Sequence, residues 1–219
     1  VLFLATGFSY SQEEDQKEER VPGHYNNNPF KQLYEEFSTP NQYRSASGAP
    51  GPAYYQQQAD YVMDIELDDK NKKITGYETI TYTNNSPDVL DYIWVQLDQN
   101  MRAKDSKTPL IVSSGAAPAD MAGNFVNQYM GEGFDGGFNI QSVKDNNGND
   151  LDYMINRTMM RIELPKSMNN GDKFVFSIRW WYNINNHVNG RGRSGYEEFE
   201  DGNRAYVIAQ FFPRMAVYS

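Results

Sequence analysis

Residues Asp60–Asn100 read DYVMDIELDDKNKKITGYETITYTNNSPDVLDYIWVQLDQN, and their alternation decides the fold. In Tyr61–Leu67, Tyr61, Met63, Ile65 and Leu67 fall on one face and Asp64 and Glu66 on the other. That is the two-residue period of a half-buried strand. Asp68–Lys73 contains no apolar residue and predicts a solvated turn. Ile74–Thr83 sets Thr75, Tyr77, Thr79, Thr81 and Thr83 against Ile74, Ile80 and Tyr82, residue types that suit a pleated surface. Asn84-Asn85-Ser86-Pro87-Asp88 predicts a second turn, because Asn and Asp tolerate tight backbone geometry and Pro cannot donate to a ladder. Val89–Leu97 is apolar on both faces, Leu90, Tyr92 and Trp94 against Val89, Ile93, Val95 and Leu97. This predicts a central strand covered on two sides.

Working outward, strands are expected at Phe138–Val143, Leu151–Ile155, Met159–Leu164, Lys173–Ile184 and Ala205–Phe212. Asn147-Gly148 is a strong hairpin signal between the first two. Pro165 is expected to close Met159–Leu164, and Asn169–Asp172 to turn the chain. Phe174, Phe176, Ile178, Trp180 and Tyr182 give the most regular buried face in the sequence. Met101–Gly137 and Asn185–Gly202 read as loops, the first with one helical turn near Ala117–Tyr129. About eight strands at roughly ten-residue spacing indicate an all-β domain, an antiparallel β-sandwich or open saddle-like sheet.

Upstream, Val1–Phe8 (VLFLATGF) followed by Ser9-Tyr10-Ser11 has the apolar core and small residues of a signal-peptide cleavage site before Gln12. The competing reading is an apolar strand of the fold. Gln12–Arg20 (QEEDQKEER) is charge-rich, carries no apolar residue, and reads as a disordered leader. Asn28–Phe37 has Phe30, Leu33, Tyr34 and Phe37 at helical spacing, and Ser38–Tyr55 reads as an extended linker. The expected organisation is a signal remnant (1–11), a disordered or partly helical leader and linker (12–55) and a β-rich domain (56–219). With no following polar tail after the apolar segment ending at Ser219, the chain is expected to be the N-terminal part of a longer exported protein, periplasmic or extracellular.

The 219 residues carry a net charge of −9 and 14% aromatics. Such a charge argues against nucleic acid as a partner, whose binding needs clustered Lys and Arg against phosphate, and against an anionic membrane surface. No cysteine is present, so no disulfide, thiolate zinc site or cysteine nucleophile exists. No apolar run approaches the length of a membrane span.

Catalytic residue types are scarce. The two histidines, His24 and His187, stand apart, and no HExxH or G-x-S-x-G occurs. Glu197, Glu198, Glu200 and Asp201 have the composition of a glycosidase pair, although adjacent carboxylates on a polar loop are ordinarily a solvated surface. Asp145–Asp150 lacks the twelfth-position glutamate of a calcium loop. Asn84-Asn85-Ser86 and Asn156-Arg157-Thr158 match the glycosylation pattern, the first followed by Pro. The segment thus offers no catalytic residue and no metal ligand set of its own.

Two phrases carry further. Gly51–Leu67 (GPAYYQQQADYVMDIEL), continuing through TGYETITYTNNSPDVLDYIWVQLDQN, resembles the start of the N-terminal β domain of exported bacterial zinc metallopeptidases of the aminopeptidase N and leukotriene hydrolase family, the gluzincins. Ala205–Tyr218 (AYVIAQFFPRMAVY) resembles the end of that domain. The resemblance covers about Ala53 to Ser219. It implies a C-terminal catalytic domain in the same chain, carrying GxMEN and HExxH with a downstream Glu, where zinc would be held. It also implies a peptide substrate, and by position Gln210 as the residue that binds the peptide's free α-amine; a side-chain carbonyl accepts readily from an ammonium. The competing reading puts Gln210 simply on a strand face or edge. Arg214 reads as an ion-pair or interface residue. A stand-alone secreted binding or adhesion module, with Tyr54, Tyr55, Trp181 and Tyr196 stacking on carbohydrate or peptide, is the alternative function.

Overall fold

The computed structural model describes residues 40–106, 134–186 and 194–218, divided into two compact units, one up to Tyr54 and one from Tyr55 onward. The expected signal remnant, the Asn28–Phe37 helix, the Ala117–Tyr129 turn, His24 and His187 lie outside the described residues.

In the first unit, residues 40–54 are looped instead of extended. Asn41 Oδ1 accepts from the backbone N–H groups of Tyr43 (2.8 Å) and Arg44 (2.9 Å). Ser45 N–H bonds the Ala49 carbonyl at 2.9 Å, and Gly51 N–H the Tyr43 carbonyl at 2.8 Å. Short polar side chains that mimic a backbone turn fold the expected extended linker back on itself here.

The second unit is all-β. In chain order its strands are β1 (Gln58–Asp68), β2 (Lys73–Thr83), β3 (Leu90–Gln96), β4 (Asn139–Asp145), β5 (Tyr153–Asn156), β6 (Met159–Met168), β7 (Lys173–Asn183), β8 (Gly195–Glu198), β9 (Arg204–Val207) and β10 (Arg214–Met215). A 3₁₀ helix, Asp98–Arg102, follows β3. Sheet 1 has the order β1-β2-β7-β4, sheet 2 the order β10-β3-β6-β5, and β8-β9 form a separate ribbon. Every pairing within these sheets is antiparallel. The two four-stranded sheets share one core, with Ile80, Phe176, Ile178 and Trp180 from sheet 1 and Ile93, Val95, Met160 and Ile162 from sheet 2, none of them more than 3% exposed. The result is an antiparallel β-sandwich.

Four expectations are corrected by the pairing. Asn147-Gly148 does turn, with Gly148 at φ 85° and Leu151 N–H on the Val143 carbonyl (2.9 Å). The returning segment then leaves for the other sheet, since β4 pairs with β7 and β5 with β6. Pro165 does not end β6: the register shifts between Leu90 and Tyr92, leaving extra residues on β6 where Pro needs no partner. That same shift sends Leu90 into the core while Tyr92 stays 41% exposed. Consequently β3 is buried on one face only, contrary to its two-sided apolar pattern. Finally, Gly195–Glu198 is a strand within the expected loop, held by β9 as its hairpin partner.

Candidate functional site

The segment carrying Gln210 is pinned from beneath by the turn that follows β3. The 3₁₀ helix Asp98–Arg102 directs Gln99 and Arg102 inward, where they are 2% and 8% exposed. Gln99 Nε2 donates to the carbonyl oxygens of Ala209 (2.9 Å) and Gln210 (3.1 Å), and Gln99 Oε1 accepts from Arg102 Nη1 at 2.9 Å. Ala209 N–H in turn donates to Ser194 Oγ at 2.9 Å. Held at both carbonyls, the chain bends, and Gln210 takes φ 51°, a left-handed conformation that few residues other than Gly adopt.

Gln210 therefore does not lie on a strand. The expected strand Ala205–Phe212 stops at Val207, and the chain resumes pairing only at Arg214. The Gln210 side chain is exposed, while the residues after it are fixed. Phe211 and Phe212 meet edge to face at 5.0 Å, and Tyr61 meets Phe212 in the same way at 5.4 Å. Met215 N–H donates to Tyr61 Oη at 2.8 Å. Arg214 Nε pairs with Asp98 Oδ2 at 2.8 Å, which raises the Arg214 pKa and gives that residue its ion-pair role. The arrangement is an exposed primary amide, able to accept from a cation or donate to a carbonyl, on a backbone that is firmly held.

A second polar feature lies inside the sandwich. Glu78 is fully buried on the inward face of β2, between Met63 and Ile178 on the neighbouring strands. Neither carboxyl oxygen has a hydrogen-bond partner among the described residues, and burial pushes the acid up to about 9. At neutral pH it is therefore a neutral carboxylic acid. The sequence carried a signal for it: Glu78 stands in phase with Ile74, Gly76, Ile80 and Tyr82, the buried parity of β2.

The remaining sequence candidates resolve into structure. Glu198 pairs with Arg204 at 2.8 Å, and Asp201 accepts from Asn203 N–H at 3.0 Å, so the acidic cluster shapes the β8–β9 hairpin. Asp145 Oδ1 accepts from the N–H groups of Asn147 and Asn149, both at 2.8 Å, which accounts for that loop by the hairpin. Asn84 is fully buried and its side-chain amide is hydrogen-bonded at both ends, which removes it as a glycosylation acceptor. Among the described residues no group of three or more His, Cys, Asp or Glu side chains could hold a metal ion.

No protein-family model matches the sequence, and no curated protein is similar to it. Among solved structures, an M1 zinc metallopeptidase from Deinococcus radiodurans is similar at 11% identity, over 68% of this chain and 25% of that one, with a TM-score of 0.39. A point mutant of the M1 zinc metallopeptidase from the same organism, bound to a Tyr-Ser-Ala substrate, gives 10% identity over 65% and 24%, with a TM-score of 0.38. This is a weak fold relationship. The chain spans about a quarter of the length of those structures.

Three of the four aromatic rings considered for ligand stacking, Tyr54, Trp181 and Tyr196, are already engaged by cations or rings. Lys73 Nζ stands 4.0 Å from the Trp181 ring centre, Lys72 Nζ 5.5 Å from that of Tyr196, and the Arg44 guanidinium 5.2 Å from that of Tyr54. Tyr196 also faces Tyr206 at 6.1 Å. Such contacts stabilise a β surface and occupy ring faces that a ligand would need.

Proposed function

We propose that this chain is the noncatalytic N-terminal β domain of an exported zinc-dependent aminopeptidase-like metallopeptidase. In that role it supports a catalytic domain of the same polypeptide and flanks the site of the peptide's N-terminus. The observation that carries the reading is Gln210, an exposed amide on a left-handed bend clamped by Gln99 through two consecutive carbonyls. The sequence phrases at Gly51–Leu67 and Ala205–Tyr218 support it. On this reading Gln210 Oε1 accepts a hydrogen bond from the α-ammonium of the peptide, and the held backbone keeps the acceptor in place without ordering on binding. Zinc and the bond-breaking step belong to the catalytic domain.

The test uses the protein encoded by the complete gene. Its sequence should contain HExxH with a downstream Glu, and the enzyme should release N-terminal residues from peptides. Gln210→Ala should raise KM for free-amine peptides about tenfold, as expected for a hydrogen bond to a charged group, with little change for N-acetylated ones. A complete gene without zinc ligands, or a Gln210→Ala enzyme with unaltered KM, would sink the reading.

A further inference from the structure

Each sheet of the sandwich has two edges, and three of the four are blunted. β5 is four residues long, β10 is two, and β4 carries a register shift between Ile140 and Ser142. Short or irregular edges present little backbone for another strand to pair with. β1 differs. It pairs with β2 without a shift over all eleven residues from Gln58 to Asp68, and among the described residues no strand lies on its other side. No backbone hydrogen bond from that other side is made among the described residues. The free edge runs for about 36 Å at the usual rise per residue.

Its side chains explain which partner it refuses. Gln58, Asp60, Val62, Asp64, Glu66 and Asp68 share the outward face, opposite the core side occupied by Tyr61 and Met63. An antiparallel copy centred on Met63 would set Asp60 against Glu66 and place every carboxylate of both strands on one face. Like charges directly opposite destabilise a strand pair. The β2 residues beside Asp60, Asp64 and Glu66 are Thr81, Tyr77 and Thr75, so no cation stands directly opposite these three; Lys73 faces Asp68, and Arg179 of β7, beyond Tyr77, lines the same shallow hollow as Asp64 and Glu66. None of the three makes an ion pair among the described residues. Val62, at 73% exposed, sits between the carboxylates as an apolar contact point.

We propose that the β1 edge docks an extended segment of another protein that carries Lys or Arg at alternate positions, and that this segment joins sheet 1 as a fifth strand. Main-chain pairing supplies the attachment, and the two-residue spacing of the carboxylates selects the basic pattern. Cross-strand neighbours lie about 5 Å apart at Cβ, close enough for each cation to meet a carboxylate. The inference stands independently of any peptidase role.

The experiment uses the 219-residue chain and a fluorescent peptide of sequence Thr-Lys-Val-Lys-Thr-Lys-Val-Lys-Thr. One control has the same composition with its lysines in one block; another has Glu in place of Lys. Binding is read by anisotropy, and pairing by amide hydrogen exchange. The expected result is binding of the alternating peptide alone, slowed exchange within residues 58–68, and weakening by salt. An Asp64→Lys/Glu66→Lys double variant should bind at least tenfold more weakly with an unchanged far-UV spectrum. If it fails to fold, Asp64→Asn/Glu66→Gln serves, with a several-fold loss expected. Absence of binding overturns the proposal. So does equal binding of the block peptide without protection of β1 amides, which would mean unspecific attraction to an acidic protein.

Discussion

Trp180 lies flat over Gly76, its direct partner across the β2–β7 ladder, so closely that a Cβ on Gly76 would stand 2.3 Å from Trp180 Cζ2. Trp180 is fully buried and is itself stacked on Tyr182 at 5.8 Å, with Phe138 edge-on at 5.4 Å. The ring has nowhere to retreat. Gly76→Ala is therefore expected to destabilise the domain by about 1–3 kcal/mol or more, the ordinary penalty of overpacking a filled core. Equilibrium urea unfolding followed by tryptophan fluorescence measures it, and a midpoint equal to that of the parent chain would show that the ring can move.

Glu78 sets a pH dependence whose sign follows from its burial. Its folded pKa of about 9 lies above the 4.5 of the free side chain, so the folded state holds the proton more tightly. The domain is most stable below pH 4.5 as far as this group is concerned, and loses that stability as pH rises through the window to about 9. Between pH 5 and 8 the loss amounts to about 4 kcal/mol at 1.36 kcal/mol per unit. Glu78→Gln resembles the protonated acid and should remove this slope. The check is the difference in unfolding free energy between parent and variant across that range, which cancels the other titrating groups. A constant difference would mean that Glu78 finds a partner for its charge.

Gln99 makes three hydrogen bonds from a position 2% exposed. Gln99→Leu keeps the volume but removes the donor to the Gln210 carbonyl, leaves the Ala209 carbonyl with Ser194 Oγ at 3.4 Å, and takes the Gln99 acceptor away from Arg102 Nη1. About 2–4 kcal/mol of destabilisation is expected, because buried groups left without partners lose their solvation in full. Faster amide exchange should be confined to residues around 209–210 and 99–102. Uniform loosening of the whole sandwich would contradict the local clamp described above.

Asn84 joins three separate stretches of chain. Its Nδ2 donates to the carbonyls of Asp88 (2.8 Å) and Met168 (3.0 Å), and its Oδ1 accepts from Gln57 Nε2 (3.0 Å) and Ser86 N–H (3.0 Å). Asn84→Ala is expected to cost about 2–3 kcal/mol, a value in the range for buried polar atoms left unpaired. Asn84→Asp should do at least as much harm at neutral pH, since it replaces both donors by an acceptor facing two carbonyls. Thermal unfolding of the two variants distinguishes them.

Strand content was legible where alternation is strong. β7 announced its buried face through five residues, Phe174 to Tyr182, because rings and branched chains at every second position can serve only one purpose. What could not be read was which strand leaves for which sheet. Asn147-Gly148 specifies a turn, yet the turn chemistry is the same whether the next strand pairs back or crosses over, and the choice is made by β6 and β7 arriving later in the chain. The burial of Leu90 depends on a register shift near Pro165, a tertiary event that parity alone reads wrongly. At the candidate site, the Gln210 position came from a sequence phrase. Its bend came from Gln99, a residue whose isolated side chain carries no hint of what it will bind.

The central pairings of the sandwich join strands from opposite halves of the unit: β2 with β7, Ile80 against Phe176, and β3 with β6, Val95 against Met160. Contacts of such long sequence separation must close large loops before they reward the chain, which makes folding slow relative to a local meander. A ribosome-bound chain ending before Lys173 holds the β1–β2 hairpin of sheet 1 and a β4 that has no partner there, with the second edge of β2 bare. The domain should therefore acquire its cooperativity in one late step, when β7 enters between β2 and β4. Until then its aromatic face would be the part most in need of a chaperone.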